Sequence, residues 1–202
     1  VNPMTGQILD ADIILTDDNF ASIVQGIAQG RVVYNNIRKV IGMLMATAFS
    51  AILLFFLTAL AGLPMPLTAI QLLWLNLVGY GVQDVALAFE PEEGNELKRP
   101  PRKPSEPVFE RRLLEHIVLI GSLMGILAFG GFWFLMESGY ELEEARNLIL
   151  MMMVLFGNMH TLNCRSETQS IFSIRFFANR FLIIALPLAQ IIHIHVGHLD
   201  GL

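Results

Sequence analysis

Between Lys39 and Asp84 the chain runs for more than forty residues without a charged side chain, twice the ~20 apolar residues that one bilayer-crossing helix needs. Such a run folds as two membrane spans. The break between them is legible at Gly62-Leu63-Pro64-Met65-Pro66, where two prolines and a glycine interrupt the apolar pattern and leave room for only a short connection. The reading is a hairpin of helices at about 40–62 and 67–89, followed by three more apolar stretches at about 114–136, 147–164 and 181–198, in which Glu115 is the one charged residue. The chain is therefore expected to be an all-α polytopic membrane protein of about five transmembrane helices. Composition agrees, since 54% of the residues are hydrophobic and the 15% that are charged cluster between the apolar blocks.

Those clusters orient the spans. Lys98, Arg99, Arg102, Lys103, Arg111 and Arg112 crowd the segment after the second span, and Arg165, Arg175 and Arg180 follow the fourth. The positive-inside rule makes both segments cytosolic. The opposite side receives the 63–66 connection and an acidic loop with Glu137, Glu141, Glu143, Glu144 and a lone Arg146. An odd number of spans then puts the N-terminus in the cytosol, in accord with Arg31, Arg38 and Lys39. Trp133 and Tyr140, near the outer end of the third span, fit an aromatic belt. The prolines at 100, 101, 104 and 107 favour an extended, stiff linker over residues 90–112. Topology accounts for the basic residues there, and no nucleic-acid partner is implied. The lone Cys164 cannot form an internal disulfide. The absence of an initiator Met suggests a fragment.

Residues 11–20 pair a short β-branched run with a polar turn and read as a strand leading into a loop, a short α/β remnant at the N-terminus. A helix should follow from about 21 to 39, entering the first span without a breaker, as a stalk. Here a resemblance enters. Ala11-Asp12-Ile13-Ile14-Leu15 with Asp17-Asp18-Asn19-Phe20, then Gly30-Arg31 with Tyr34-Asn35-Asn36-Ile37, Leu72-Leu73-Trp74-Leu75-Asn76-Leu77-Val78, Ala86-Leu87-Ala88-Phe89-Glu90-Pro91, and Arg99-Pro100-Pro101-Arg102 with Pro104 and Glu106-Pro107 stand in order. Together they resemble the type II P-type ATPases, the calcium-pump-like branch. The resemblance runs from about 11 to 198. It implies that residues 1–25 end the cytosolic phosphorylation (HAD-like) domain, that 26–39 form the stalk helix, and that 40–198 form the transmembrane transport domain, the family's fifth through ninth membrane helices.

Polar groups at membrane depth are costly, and each needs a reason. Asn76, Tyr80 and Gln83 recur at i, i+4 and i+7, the spacing of one helical face, with Asp84 one turn beyond Tyr80. This stripe is the candidate ion-binding or pathway set: Asn76, Tyr80, Gln83 and Asp84. Gly79 and Gly81 beside it would weaken the helix and expose carbonyl oxygens usable by a hard cation. The bland alternative is hydrogen bonding between helices. Asp84 lies toward the cytosolic end of its span, where it could serve as a proton or cation site, or snorkel and pair with Lys39 or Arg112. Thr47 and Ser50 could add hydroxyls or bond their own backbone. Asn158, His160 and Asn163 are similarly open, and His193, His195 and His198 do not complete a metal set. Gly121 and Gly125 carry the small-xxx-small spacing of close helix contact.

By the resemblance, Asn76 matches an asparagine or aspartate that ligates ions in calcium and sodium pumps. Gly79 and Tyr80 stand in place of a Thr-Asp pair, and Ala48, Ala51 and Gly157 stand where the calcium pump presents an amide and two carboxylates. The implied function is the transport domain of an ATP-driven cation pump, coupled through the stalk to a phosphorylation domain. The alternative is a truncated non-enzymatic membrane subunit or a passive ion carrier. No catalytic or metal residue is assigned in this chain, which lacks the family's DKTGT and GVNDAP motifs and should be inactive alone. ATP and magnesium are expected for the intact pump. The expected partners are the lipid bilayer, the missing cytosolic domains and membrane helices, and the transported cation; the expected location is the plasma membrane, N-terminus cytosolic.

Overall fold

The computed structural model describes residues 19–94, 96–98, 109–166 and 176–199, and the structure among them is helical. The expected N-terminal strand and the proline-rich part of the linker lie outside these residues.

Helix α1 (Phe20–Leu60) begins where Asn19 caps it by accepting a hydrogen bond from the Ala21 N–H at 3.0 Å. With no proline in its 41 residues, stalk and first span form one unbroken helix. It ends at Gly62, whose φ of 69° suits glycine, with the Leu63 N–H donating to the Thr58 carbonyl and the Gly62 N–H to that of Ala59. Helix α4 (Arg111–Glu137) ends in the same way at Gly139, where the Tyr140 N–H donates to Leu135. Two Schellman turns thus close two spans at one end of the bundle.

Pro64 and Pro66 keep the connection non-helical until Thr68, which caps α2 (Ala69–Trp74) in a reciprocal box with Gln71. A π turn (Leu75–Tyr80) leads into α3 (Gly81–Ala88). Helix α5 (Leu142–Cys164) starts five residues before the expected 147. The expectation excluded charge from the span, yet Glu143 and Glu144 suit the first turn of a helix, whose N-terminal amides favour negative charge. Helix α6 (Arg180–Leu199) follows the expected 181–198 closely and accommodates Pro187.

Among the described helices α1, α4 and α5 are long and apolar enough to cross a membrane. The α2–α3 rod, interrupted only by its π turn, and the apolar α6 complete a five-span bundle. Its perimeter exposes Ile52, Phe56, Leu73, Leu119, Phe134 and Ile184, a surface suited to lipid. Inside, Met43, Leu54, Leu75, Phe132, Met153 and Val154 are fully buried. The α1–α4 contact uses the glycine pair: a Cβ at Gly121 would lie 2.8 Å from the Ala46 carbonyl oxygen, and one at Gly125 2.8 Å from that of Ser50.

The loops sort to two ends. Arg146 donates from Nε to the Met65 carbonyl at 3.0 Å, which puts the acidic loop beside the first hairpin turn. At the other end Arg38 meets Glu110 at 2.6 Å, and Arg165 meets Glu90 at 2.8 Å. We refer to these as the acidic and the basic end.

Candidate functional site

The π turn reshapes the expected polar stripe. Gly81 donates its N–H to the Asn76 carbonyl five residues back, so the helix advances fewer degrees per residue here than an α turn. The i, i+4, i+7 register, which assumes 3.6 residues per turn, then fails across it. Asn76 ends up exposed, its amide donating to the Leu72 carbonyl of its own helix at 2.8 Å. Tyr80 and Gln83 are buried against α5. The single face predicted for Asn76, Tyr80 and Gln83 is therefore two faces. Glycines at 79 and 81 do mark the irregularity, as a widened turn rather than a break.

Tyr80 lies flat against a glycine. Its hydroxyl donates to the Met153 carbonyl at 3.2 Å, and its ring fills the space beside Gly157, where a Cβ would come within 2.8 Å of Cδ1. Gln83, fully buried, is the start of a chain of neutral groups. Its Nε2 donates to Asn158 Oδ1, Asn158 Nδ2 donates to Gln190 Oε1 at 3.0 Å, and Gln190 Nε2 reaches Met151 Sδ at 3.3 Å. The Thr161 hydroxyl, which donates to Gln83 Oε1 at 2.8 Å, also lies within reach of the Gly157 carbonyl. Helices α3, α5 and α6 are joined at depth without a formal charge, and the sequence reading had left Asn158 open and passed over Thr161 and Gln190.

Asp84 departs from this pattern. It is half-buried, its Oδ1 has no hydrogen-bond partner, and it makes no ion pair among the described residues. Lys39, one of the two bases considered for it, instead meets Glu93 at 3.1 Å. Arg112 does not reach it either. Of the two readings left open for Asp84, pairing with Lys39 or Arg112 is not made; Glu93, in the acidic segment after α3, takes up Lys39.

That segment organises the basic end. Glu90 accepts from Arg165 Nε through Oε1 and from Asn179 Nδ2 through Oε2, both at 2.8 Å, while its carbonyl accepts from Asn36 at 2.7 Å. Asn179 also donates to the Ala86 carbonyl and caps α6 at Leu182. Through its carboxylate Glu90 ties the end of α3 to Arg165 after α5 and to Asn179 before α6, and through its backbone carbonyl to α1; both Glu90 and Arg165 are buried. Toward the acidic end, Gln71 donates to Asn147 Oδ1 at 2.8 Å, and Trp74 Nε1 to His193 Nδ1 at 3.2 Å. His193 is therefore an interhelical acceptor.

The hydroxyls of Thr47 and Ser50 bond to carbonyls of α1 itself. Buried His160 stacks on His116, centroids 5.9 Å apart. Ala48 is exposed. Among the described residues no group of three His, Cys, Asp or Glu is placed to hold a metal ion. The side-chain oxygens on or just beyond the π turn are those of Asn76, Tyr80, Gln83 and Asp84, and Asp84 is the carboxylate among them.

Comparison with known proteins places this geometry. The family described as "Cation transporting ATPase, C-terminus" matches residues 64–202. The chain is similar to a "Calcium-transporting ATPase" of Bacillus subtilis, 40% identical over 174 residues, 86% of this chain and 19% of the relative. It is also similar to a "Probable cation-transporting ATPase F" of Mycobacterium tuberculosis (31% identical, 95% of this chain, 21% of the relative). A third is the "Calcium-transporting ATPase 1" of Schizosaccharomyces pombe (31%, 87% and 20%). The chain thus spans about a fifth of the length of these relatives.

Proposed function

This chain belongs to the P-type cation-transporting ATPases, as their C-terminal membrane region, and from that premise we propose that it forms part of the ion pathway of an ATP-driven pump, with Asp84 as its charged group. The observation that carries this reading is the buried Asp84 oxygen without a hydrogen-bond partner among the described residues, one turn from a π turn in an otherwise regular membrane helix. A carboxylate kept at membrane depth without a counter-ion is costly unless it serves a proton or cation, and π turns often sit at functional sites. Asn76, exposed on the described bundle, would face the pump helices that lie outside this chain. Tyr80 and Gln83 hold α3 to α5 beside the site.

Phosphorylation, ATP and magnesium belong on this reading to segments outside the chain, and the N-terminal half of α1 serves as the stalk. The clamp of Asn36 on the Ala88 and Glu90 carbonyls supports coupling, because it links the stalk directly to the helix that carries Asp84. The basic end is the cytosolic one, in the plasma membrane. Cysteines placed at 93 and 141 of the full-length pump should react with impermeant reagents from opposite sides; labelling from one side would sink this orientation.

Two of the relatives named above are calcium-transporting, yet the ligand set here suits one monovalent cation or a proton better. Calcium takes six to eight oxygens. Where the resemblance puts an amide and carboxylates of the calcium pump, this chain has Ala48, Ala51, Gly157 and Tyr80, and the Tyr80 ring fills the space beside Gly157. ATP-driven uptake into vesicles by the full-length pump tests the assignment. Asp84→Asn and Asn76→Ala should impair transport more than Gln190→Ala. Wild-type transport by Asp84→Asn would refute the role of Asp84, and micromolar binding of two calcium ions per pump would refute the choice of ion.

A further inference from the structure

The basic end contains a cavity that the transport reading does not use. It has a volume of about 510 Å³ and lies between the middle of α1, the first turn of α4 and the last turn of α5, with Arg38, Lys39, Glu110, Arg112, His116 and Asn163 on its walls. Three cations face one carboxylate. Glu110 is engaged by Arg38, and Lys39 by Glu93, which does not line the cavity. Arg112 has no acidic partner among the described residues. Among the described residues this group of charges is therefore one anion short.

Backbone geometry adds to the deficit. Glu110, which precedes the 27-residue α4, makes no capping hydrogen bond with its side chain, and with Arg112 and Leu113 of the first turn it forms one wall. The amides of a helix start and the aligned peptide dipoles favour an anion there. Asn163 and Ser166 bring neutral polar groups to the opposite wall, and the stack on His160 orients the His116 ring. Several donors converging on one volume suit a tetrahedral anion with several acceptor oxygens better than a single planar carboxylate.

Position narrows the choice further. Beside the cavity α4 exposes Leu114, Val118 and Leu119, so an apolar surface adjoins the charged end. Basic pockets between membrane helices are suited to anionic headgroups, and the volume falls within the ~300–1,000 Å³ of ligand sites. We propose that this cavity binds a phosphate-bearing anion at the membrane face, with Arg112 as its charge partner and the first turn of α4 as its amide cradle.

The full-length pump, purified and delipidated, provides the test, with phosphatidylglycerol and inorganic phosphate as the two probes and diacylglycerol as a phosphate-free blank. Native mass spectrometry should show one phosphatidylglycerol retained, with roughly fivefold weaker retention by Arg112→Gln, the effect of removing one surface cation. Arg111→Gln, which removes a neighbouring base already paired with Glu115 outside the cavity, should bind as the wild type does. Cys164 also lines the cavity, so in a background without other cysteines an occupied site should slow its reaction with a thiol reagent. Protection by phosphatidylglycerol alone assigns the anion to a lipid, and protection by phosphate alone assigns it to a soluble phosphate; either upholds the site. Protection by neither probe, protection by diacylglycerol as well, or equal behaviour of the Arg111 and Arg112 variants would overturn it.

Discussion

At the basic end the bundle is held by full charges, Glu90 on Arg165 and Lys39 on Glu93, whereas nearer its middle Gln83, Asn158, Gln190 and Thr161 join the same helices through neutral groups alone. Glu90, Arg165, Lys39, Gln83 and Thr161 are buried and Glu93, Asn158 and Gln190 half-buried, and both sets link the α3 segment to α5. Their difference follows from the cost of charge, which rises toward the bilayer centre and falls near the interface, where water can reach the chain during insertion. Amides cross-link helices at depth without that cost. Asp84 stands between the two regions and belongs to neither, a carboxylate without an ion pair among the described residues.

The comparison can be broken most forcefully at Glu90. Replacing it by alanine strands a buried guanidinium, and removal of one partner of such a pair costs about 3–5 kcal/mol. Glu90→Ala should therefore sharply reduce folded pump and accelerate thermal inactivation, and Glu90→Ala with Arg165→Met should recover part of the loss. Near-wild-type stability of the single variant would mean that this end is not held by its charges.

Deeper in the bundle the expected effects shrink. Gly157→Ala forces a methyl group into the Tyr80 ring, an overpacking worth about 1–3 kcal/mol. A smaller residue at Tyr80 should restore thermal stability to this variant; failure of that rescue would place the strain elsewhere. Asn158→Ala cuts the chain of amides at its centre. Interhelical hydrogen bonds in membranes average about 0.6 kcal/mol and reach about 1–2, so its inactivation temperature should move least of the three. If it moves as far as that of Glu90→Ala, the distinction between the two regions fails.

The spans were legible because absence of charge over a long run is a one-dimensional signal that needs no partner. So were a close helix contact at Gly121 and Gly125, though not its partner α1, and the two loop ends. The face of Asn76 was not, since Gly79 and Gly81 announce a weak helix without saying whether it breaks, bends or widens, and one π bond is enough to put Asn76 and Tyr80 on different sides. Glu90 was hidden for another reason. Its partners Arg165 and Asn179 lie 75 and 89 residues away, and read locally it was one acid at the start of a linker. Charges counted for topology were in part already committed to one another.

Helix α1 has a mechanical consequence. It is one rod, and Asn36 and Lys39 hold it near its middle, leaving about 24 Å of helix from Phe20 to the clamp and about 32 Å from the clamp to Leu60 at 1.5 Å per residue. A stiff beam resting on a fulcrum near its midpoint inverts what is done to it. Any tilt about Asn36 that swings Phe20 one way carries Leu60 the other way by a somewhat larger distance, and the Gly121 and Gly125 contacts, on the far arm, must slide for it to happen.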